Sequence, residues 1–355
     1  MSETTQNNYI IEQWLKLEPL DTLFFRGGEP MDAGETQDTG RPVFPPAPST
    51  VVGALRTAIL AQNKVSVEKV TRLGDDEDLD LYKLPFWGTP QKSGFRVVGP
   101  ILCAGDTALF PAPANWFYKH TKHKSGHKIR VFVALPENDF PVKIGRPLAW
   151  YVKDPPEDVD QMSGLFWVTK GALELKSEER FVLDIERDVD NVSSDNPCAV
   201  RIYDLLSFED RVGIARDNFS RSVRQGHLYA TRHVRLKPGI SLIVGLDKPL
   251  CPSHIDPAGV FQFGGEGRIV RYELIESPPQ LPSSRRGFWL ALSPISWDLA
   301  SSLGLVNKAY ISGKLFRVGG WDMRKRFHKP VETYLPIGTV FFSDEYLTLP
   351  ELIPF

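Results

Sequence analysis

Seven basic side chains crowd the stretch from Arg211 to Lys237, and a single acidic residue, Asp217, lies among them. The whole sequence carries a formal net charge of -2, so positive charge is concentrated here rather than spread over the surface. Such a concentration attracts polyanions, and guanidinium groups bind phosphates through charge-assisted hydrogen bonds. The stretch therefore predicts phosphate binding, although the same pattern also fits an ordinary solvated hairpin.

A glycine-rich turn offers a second phosphate-binding pattern. Gly264, Gly265 and Gly267 occupy three of four positions, and Arg268 follows them directly. Successive backbone N–H groups in such a turn can form a nest for an anion, and the arginine adds a charged donor. The pattern is neither a Walker loop nor a dinucleotide fingerprint, because no Gly-Lys-Ser/Thr follows and the turn precedes a strand. A tight turn without a ligand fits the composition equally well.

Residues of the types used in catalysis are sparse. His227 and Tyr229 lie close together in the basic stretch and are of the types that support metal-free RNA cleavage. The sequence has no G-x-S-x-G and no H-E-x-x-H motif. His120, His123 and His127 lie among lysines, which would repel a divalent cation. We therefore expect no metal site, no cofactor and no catalytic constellation.

The segments before the basic stretch predict a strand, a long loop and a helix. Ile10–Leu20 has the composition of an opening strand. The proline- and glycine-rich loop from Asp21 to Pro48 is longer than most loops in a compact domain, and such loops are usually functional or disordered. A helix is expected to begin near Thr50 with Ser49 as its N-cap, which leaves its first N–H groups available to an anion.

Short strands separated by turns and long loops predict an α+β architecture. Glycine and proline number 28 and 29, which favours turns over a helical bundle. The basic stretch is predicted to form two strands joined by an arginine-rich connection. Short helices are predicted at 155–175, with Phe166 and Trp167 on the apolar side, and at 256–263.

The bulk composition is that of an ordinary globular protein, with 42% hydrophobic and 24% charged residues. No apolar run approaches the roughly 18–20 residues that a membrane-spanning helix needs. The three cysteines are widely spaced and predict neither a disulfide framework nor a zinc site. We expect a cytoplasmic protein without a membrane segment.

Several blocks of sequence together resemble one known family. The segments LDTLFFRGGEPMDAGE and FPPAPSTVVGALRTAIL resemble the start of the third subunit of the Cmr complex, the type III-B CRISPR effector, whose subunits belong to the RAMP superfamily. The resemblance continues through RVGIARDNFSRSVRQGHLY, FGGEGR, VGGWDM and PIGTVFF. These blocks follow the order found in the family and span about Leu17 to Ser343.

This resemblance implies two ferredoxin-like (RNA-recognition-motif-like) RAMP domains with long loop insertions and a glycine-rich loop. The expected N-terminal domain covers 1–278, with variable insertions at about 63–92 and 113–205 and a basic hairpin at 209–239. The expected C-terminal portion covers 279–355. The implied function is to bind the 5′ tag of the CRISPR RNA without cleaving it, in contact with the large cyclase-like subunit and the backbone RAMP subunits. Target RNA would be engaged indirectly.

The resemblance also assigns RNA-binding residues to four places. The arginines of the opening loop should order on RNA, and the start of the first helix should present backbone donors to the tag phosphates, with an arginine nearby. The basic hairpin should grip or kink the RNA, with a tyrosine that either stacks or belongs to the core. The glycine-rich loop completes the set. In chain order, the expected residues are Arg26, Arg41, Ser49, Thr50, Gly53, Arg56, Arg211, Arg216, Asn218, Arg221, Arg224, Tyr229, Gly264, Gly265, Gly267 and Arg268.

Two alternatives remain open at the level of sequence. One is a metal-independent RAMP endoribonuclease that processes CRISPR precursor RNA, for which His227 would be the general base. The other is an assembly protein whose basic patches bind acidic protein partners.

Overall fold

The structure is a computed structural model of the chain. It describes residues 11–27, 42–72, 84, 86–121, 128–137, 149–175, 179–216, 223–250, 252–282, 287–322, 325 and 327–355. Within these residues, no helix is long and apolar enough to span a membrane.

Strands dominate the described residues, and the helices are few and mostly short. The elements of the first part of the chain are β1 (Gln13–Pro19), α1 (Pro48–Gln62), α2 (Val67–Thr71), β2 (Val97–Ala104), β3 (Thr107–Pro111), β4 (Trp116–His120), β5 (Lys128–Val133), β6 (Leu135–Glu137), β7 (Ala149–Tyr151), β8 (Asp160–Gln161), β9 (Phe166–Val168), α3 (Lys170–Leu173), β10 (Arg180–Glu186), β11 (Cys198–Arg201) and α4 (Ile202–Leu205). The elements that follow are β12 (Leu206–Arg216), β13 (Val223–Leu236), β14 (Ile240–Leu246), β15 (Ala258–Gln262), β16 (Ile269–Ile275), β17 (Phe288–Ala291), β18 (Ile295–Ser296), α5 (Trp297–Ser302), β19 (Ala309–Ile311), β20 (Phe316–Asp322), β21 (Phe327–Leu335), β22 (Val340–Phe342) and β23 (Leu352–Pro354).

The largest sheet in the described part of the chain has twelve strands, in the order β15-β16-β1-β14-β2-β3-β9-β11-β10-β5-β4-β8. Its central strands β14 and β2 are buried along their whole length. Their sequences, ISLIVGL and VVGPILCA, are almost continuously apolar, which is the pattern expected of a strand covered on both faces. The helix α1 packs on this sheet through Val51, Leu55, Ala58 and Ile59, which recur at helical spacing on one side.

The C-terminal part of the chain forms a smaller sheet, in the order β19-β22-β17-β23. It has its own apolar cluster, which includes Trp289, Tyr310 and Phe341. Other residues of the same sheet, among them Leu290 and Ile353, belong instead to the main core beneath the large sheet. The two sheets therefore share a continuous interior.

Two hairpins and the short pair β6–β7 complete the described fold. β12 and β13 pair with each other as a two-stranded sheet. β20 and β21 pair in the same way, with the short strand β18 added beside β21. In each case the second strand of the hairpin runs through a short turn into the next strand of a main sheet, β14 or β22.

The α+β class is confirmed, but two predicted helices are wrong. Phe166 and Trp167 lie in the buried strand β9, and only Lys170–Leu173 of the predicted segment is helical. At 256–263 the chain forms β15, which pairs with β16. In both segments a short run of apolar residues fitted either period, and cross-strand pairing decided the outcome.

Candidate nucleic-acid interface

The basic hairpin β12–β13 has two chemically different faces. In its register Glu209 lies opposite His233, and Arg211 lies opposite Thr231. Because side chains alternate along a strand, these residues share one polar face with Arg235. The other face carries Phe208 and Val212, whose side chains are exposed.

The polar face packs against two other segments, the loop after β1 and the glycine-rich turn. Leu23 and Val234 exchange backbone hydrogen bonds of 2.7 and 2.8 Å, so the loop adds a bridge to β13. The N–H of Gly265 donates to the carbonyl of Phe24 at 2.9 Å. Backbone bonds therefore bring three segments that are distant in sequence together at the foot of the hairpin.

One carboxylate, Asp21, links three arginines from these segments. Its oxygens accept from Arg268 Nη1 at 2.8 Å and from Arg235 Nη2 at 2.9 Å, and Arg211 Nη2 lies 3.7 Å away. Glu209 also accepts from Arg211, at 3.2 Å, and from Arg235. Glu266 completes the group, since it accepts from Arg268 at 3.2 Å. We call these three arginines and three carboxylates the Asp21 cluster.

The ionisation of the Asp21 cluster follows from these contacts. Burial raises the pKa of Asp21, but the backbone N–H of Thr22 and the guanidinium groups outweigh it and hold that pKa below its usual value. Hydrogen bonds from Arg235 and then from Arg211 lower the pKa of Glu209 in the same way. Asp21 and Glu209 are therefore ionised at neutral pH, and they compensate the charges of the arginines that they contact.

A buried histidine lies at the centre of this arrangement. The His233 ring is fully buried, with Nδ1 3.1 Å from the Thr22 hydroxyl and Nε2 3.2 Å from the Thr231 hydroxyl. It stacks on Phe24 with ring centroids 5.1 Å apart. Burial lowers the pKa of His233, with Arg211 and Arg268 adding to the effect, although the Glu266 carboxylate opposes it. The imidazole is thus held neutral as part of the hydrogen-bonded interior.

The charge available on the hairpin is smaller than its sequence suggests. The expectation that Asp217 alone opposes the basic residues is wrong, because Asp210 pairs with Arg232 and the Asp21 cluster neutralises Arg211 and Arg235. These acids lie just before the basic stretch or far from it in sequence. The described arginines of the hairpin are therefore largely compensated by carboxylates.

The glycine-rich turn is shaped by packing against the loop after β1. Gly264 has a φ of +83°, and a Cβ there would lie 2.5 Å from the Phe24 carbonyl oxygen. A Cβ on Gly265 would lie 2.8 Å from the Phe24 ring. By contrast, Gly267 has a φ of +63° and faces open space. Close packing accounts for the first two glycines, and only the third leaves room for a ligand.

The start of α1 differs from the predicted anion site. The helix begins at Pro48 with Ala47 at the N-cap, so Ser49 is not the capping residue. The Ser49 side chain instead lies near the Tyr334 hydroxyl. The N–H of Thr50 donates to the Ala47 carbonyl at 2.9 Å, so it is not available to an anion. Gly53 lies in the second turn, beyond the first four N–H groups that a helix leaves unpaired.

Arg56 turns away from the Asp21 cluster. Its guanidinium lies over the Trp87 ring, 3.7 Å from the ring centroid, and donates to the Thr89 carbonyl. Burial lowers its pKa to about 10. The structure therefore gives Arg56 a packing role between α1 and the segment that precedes β2.

The remaining expected residues lie at the edge of the described chain or beyond it. Arg26 is exposed in the loop after β1. The strands of the hairpin continue to the pair Arg216 and Val223, and Arg224 and Tyr229 lie on β13; the side chains of Arg216, Arg224 and Tyr229 are outside the description. Arg41, Asn218 and Arg221 lie outside the described residues altogether.

Sequence reasoning missed the centre of the site, namely Asp21, Thr22 and His233. One signal was present, since Thr231, His233 and Arg235 alternate along a strand and place three polar groups on one face. Among the described residues, no group of three or more His, Cys, Asp or Glu side chains is placed to hold a metal ion.

Comparison with known proteins supplies the family. The family model described as CRISPR-associated protein (Cas_Cmr3) matches residues 15–287. The curated protein "CRISPR system CMR subunit Cmr3" of Saccharolobus solfataricus is 24% identical over 144 residues, which is 39% of this chain and 45% of that protein. The chain thus aligns with less than half the length of this relative.

Solved structures show the same fold. A chain of the cryo-EM structure of the Type III-B Cmr-beta bound to cognate target RNA matches with a TM-score of 0.53 at 20% identity, covering 93% of this chain and 86% of that one. A chain of the Cmr-beta structure with cognate target RNA and AMPPnP, state 1, gives a TM-score of 0.52 at 18% identity, with the same coverage.

The fold therefore defines a class, the sheet-rich α+β proteins of the kind found in Cmr assemblies. Within that class the family model covers well over half of the sequence. The chain belongs to the CRISPR-associated Cmr3 family.

Proposed function

We propose that this chain is the Cmr3-type subunit of a type III-B CRISPR complex and that it holds the 5′ tag of the CRISPR RNA. Membership of the Cmr3 family supports the assignment to such a complex. In this proposal the chain contacts the large cyclase-like subunit and the backbone RAMP subunits. Target RNA pairs with the guide and is engaged by this chain only indirectly.

The observation that carries the proposal is the rigid foot of the basic hairpin. The Asp21 cluster ties β12 and β13 to the loop after β1 and to the glycine-rich turn. Because the arginines there are paired, we assign the charge that binds RNA to the part of the hairpin beyond Ile214, which includes Arg216, Arg221 and Arg224. A fixed foot with a basic tip is suited to holding a single strand in one orientation.

The strand orders support the proposal of two ferredoxin-like units, divided near residues 278 and 279. In the large sheet, β1, β2, β14 and β16 are the first, second, third and fourth strands of such a unit. Their spatial order is β16-β1-β14-β2, so the fourth strand lies beside the first and the third lies between the first and the second. The order β23-β17-β22-β19 repeats this arrangement in the small sheet. In each unit a helix, α1 or α5, connects the first two strands.

We further propose that the chain acts by binding RNA and not by cleaving it. The histidine at the centre of the described site, His233, is buried, neutral and fully occupied by hydroxyl groups and a carboxylate. The test is incubation of the purified chain with CRISPR repeat RNA in the presence of a chelator. Site-specific cleavage that His227→Ala abolishes would overturn this part of the proposal.

The binding role is tested with a double substitution at the hairpin, Arg216→Ala/Arg221→Ala, in the assembled complex. Each arginine removed from a single-stranded contact should lower the slope of log K against log salt by ~0.7, so we expect a loss of roughly 1.4 for the pair. The matched control is Arg187→Ala, an exposed arginine on the acidic segment after β10. Unchanged tag affinity and an unchanged slope in the double variant would refute the assignment.

A further inference from the structure

The two units of the fold carry hairpins at equivalent places. In the first unit β13 ends at Leu236, and β14 begins at Ile240 after a turn with Gly239 at a φ of +78°. In the second unit β21 ends at Leu335, and β22 begins at Val340 after a turn with Gly338 at a φ of +80°. Each hairpin thus leads into the third strand of its unit, so β20–β21 is the counterpart of the basic hairpin β12–β13.

This second hairpin projects from the body of the protein. Residues Phe327–Glu332 of β21 are exposed without alternation, so both faces of the strand meet solvent. Only its end is fixed to the body, where Leu335 pairs with Ile295 of β18 and Tyr334 is buried. Phe327 is 66% exposed although its ring lies edge-on to His328 with centroids 5.9 Å apart, and so large an exposed apolar area is unusual for phenylalanine.

The second hairpin also carries positive charge that is not compensated as it is in the first. Its sequence from Lys314 to Lys329 holds six basic residues and one acidic residue. Within the described residues, no ion pair engages Lys314, Arg317 or Lys329, all of which are exposed. The acid on the same strand, Glu332, already accepts the Tyr334 hydroxyl at 2.8 Å.

Contacts connect the foot of this hairpin to the site described above. The Ser49 side chain, at the start of α1, lies near the Tyr334 hydroxyl. The segment just before that helix packs on the loop after β1, with the Phe44 and Phe25 rings 6.4 Å apart. The glycine-rich turn packs on the same loop at Gly264. Packed residues therefore link the feet of the two hairpins.

We propose that the hairpin β20–β21 is a second binding surface for single-stranded nucleic acid. Arg317 and Lys329 contact phosphates, and Phe327 provides a platform on which a base stacks. The exposed Phe327 ring, two residues from Lys329 on the same strand, favours a nucleic acid over an acidic protein, because carboxylates would use the charge and leave the ring uncovered. The inference rests on the proposed function only in taking RNA as the ligand class.

The test uses the full-length chain and a fluorescently labelled single-stranded RNA. Arg317→Ala/Lys329→Ala should weaken binding and lower the salt slope by roughly 1.4, because two single-strand phosphate contacts are lost. Phe327→Ala should weaken binding about 5- to 150-fold and leave the slope unchanged, because stacking involves no counterion release. The matched control is Lys248→Ala/Lys308→Ala, which removes the same charge from residues that bond Gly94 and Glu345.

Two outcomes would overturn the second surface while leaving the first intact. In one, Arg317→Ala/Lys329→Ala keeps the wild-type slope while Arg216→Ala/Arg221→Ala loses part of it. In the other, RNA binding is unaffected but assembly with other subunits fails, which would make the hairpin a protein-docking surface. Loss of slope only in the second-hairpin variant would support this surface and contradict the tag-binding role given to the first hairpin.

Discussion

Replacing Asp21 with asparagine isolates the role of the Asp21 cluster. The substitution keeps the size of the side chain but removes the charge that faces Arg268 at 2.8 Å, Arg235 at 2.9 Å and Arg211 at 3.7 Å. The Asp21 side chain is 48% exposed, so each pair is worth only ~0.2–1 kcal/mol because solvent screens it. The two short pairs and the longer one together should stabilise the foot of the hairpin by about 1–2 kcal/mol.

The loss should be local and measurable by amide hydrogen exchange. The N–H groups of Leu23 and Val234 form the bridge between the loop and β13, so their protection reports opening of the foot. A loss of about 1–2 kcal/mol corresponds to exchange roughly 5- to 30-fold faster at these two amides. The control is Asp106→Asn, in the exposed turn between β2 and β3, which should leave both amides unchanged.

The same substitution, Asp21→Asn, should strengthen non-specific RNA binding. Removing a carboxylate frees positive charge on Arg235 and Arg268, so the salt slope for an unrelated single-stranded RNA should become steeper. The reasoning is refuted if exchange at Leu23 and Val234 stays at the wild-type rate, since the cluster would then not fix the foot. It is equally refuted if the foot loosens but the salt slope stays the same, since the arginines would then not have been neutralised by Asp21.

Three further predictions concern the surroundings of the Asp21 cluster. The fold lowers the pKa of His233, so the folded protein is most stable above the unfolded pKa of about 6.5, and its stability should decrease as pH falls from 7 to 5 because the unfolded state binds a proton more readily. In thermal unfolding, His233→Asn should show a smaller decrease in stability over that pH range. In denaturant unfolding, Gly264→Ala should lower the free energy of unfolding by more than the ~1–2 kcal/mol expected for a left-handed residue, because the new Cβ meets the Phe24 carbonyl. Gly267→Ala should lower it by only ~1 kcal/mol, because the Cβ there faces open space. Arg56→Ala should lower stability by about 1–2 kcal/mol through the lost stacking on Trp87, with RNA affinity unchanged in the same binding assay; a drop in affinity alone would restore the RNA role expected from the sequence.

The strands that build the frame were readable from local pattern. The sequences of β14 and β2 are almost continuously apolar, as is typical of strands covered on both faces, and the basic stretch forms the two paired strands that its sequence predicted. The two helix errors came from segments in which short apolar runs carry no period of their own. In those segments, pairing with neighbouring strands decides between strand and helix, and a single sequence does not reveal which strands will be neighbours.

The site was harder to predict because its parts meet only in three dimensions. Asp21 follows β1 near the start of the chain, whereas Arg211, Arg235 and Arg268 lie in its second half. A charge count over a window of sequence cannot include such an acid, so it overstated the free positive charge of the hairpin. The same limitation hid His233, whose neutral state depends on burial beneath Phe24.

The two hairpins carry similar basic residues, but they differ in whether those residues are paired with carboxylates. At the foot of β12–β13 the arginines are matched by carboxylates, so they fix geometry and add little attraction for a polyanion. Along β20–β21, Arg317 and Lys329 have no carboxylate within the described residues, so they retain their full attraction. A formal net charge of -2 is therefore compatible with the proposed binding of RNA through cations that the fold leaves unpaired, because salt-dependent binding depends on the phosphates neutralised and not on the total charge.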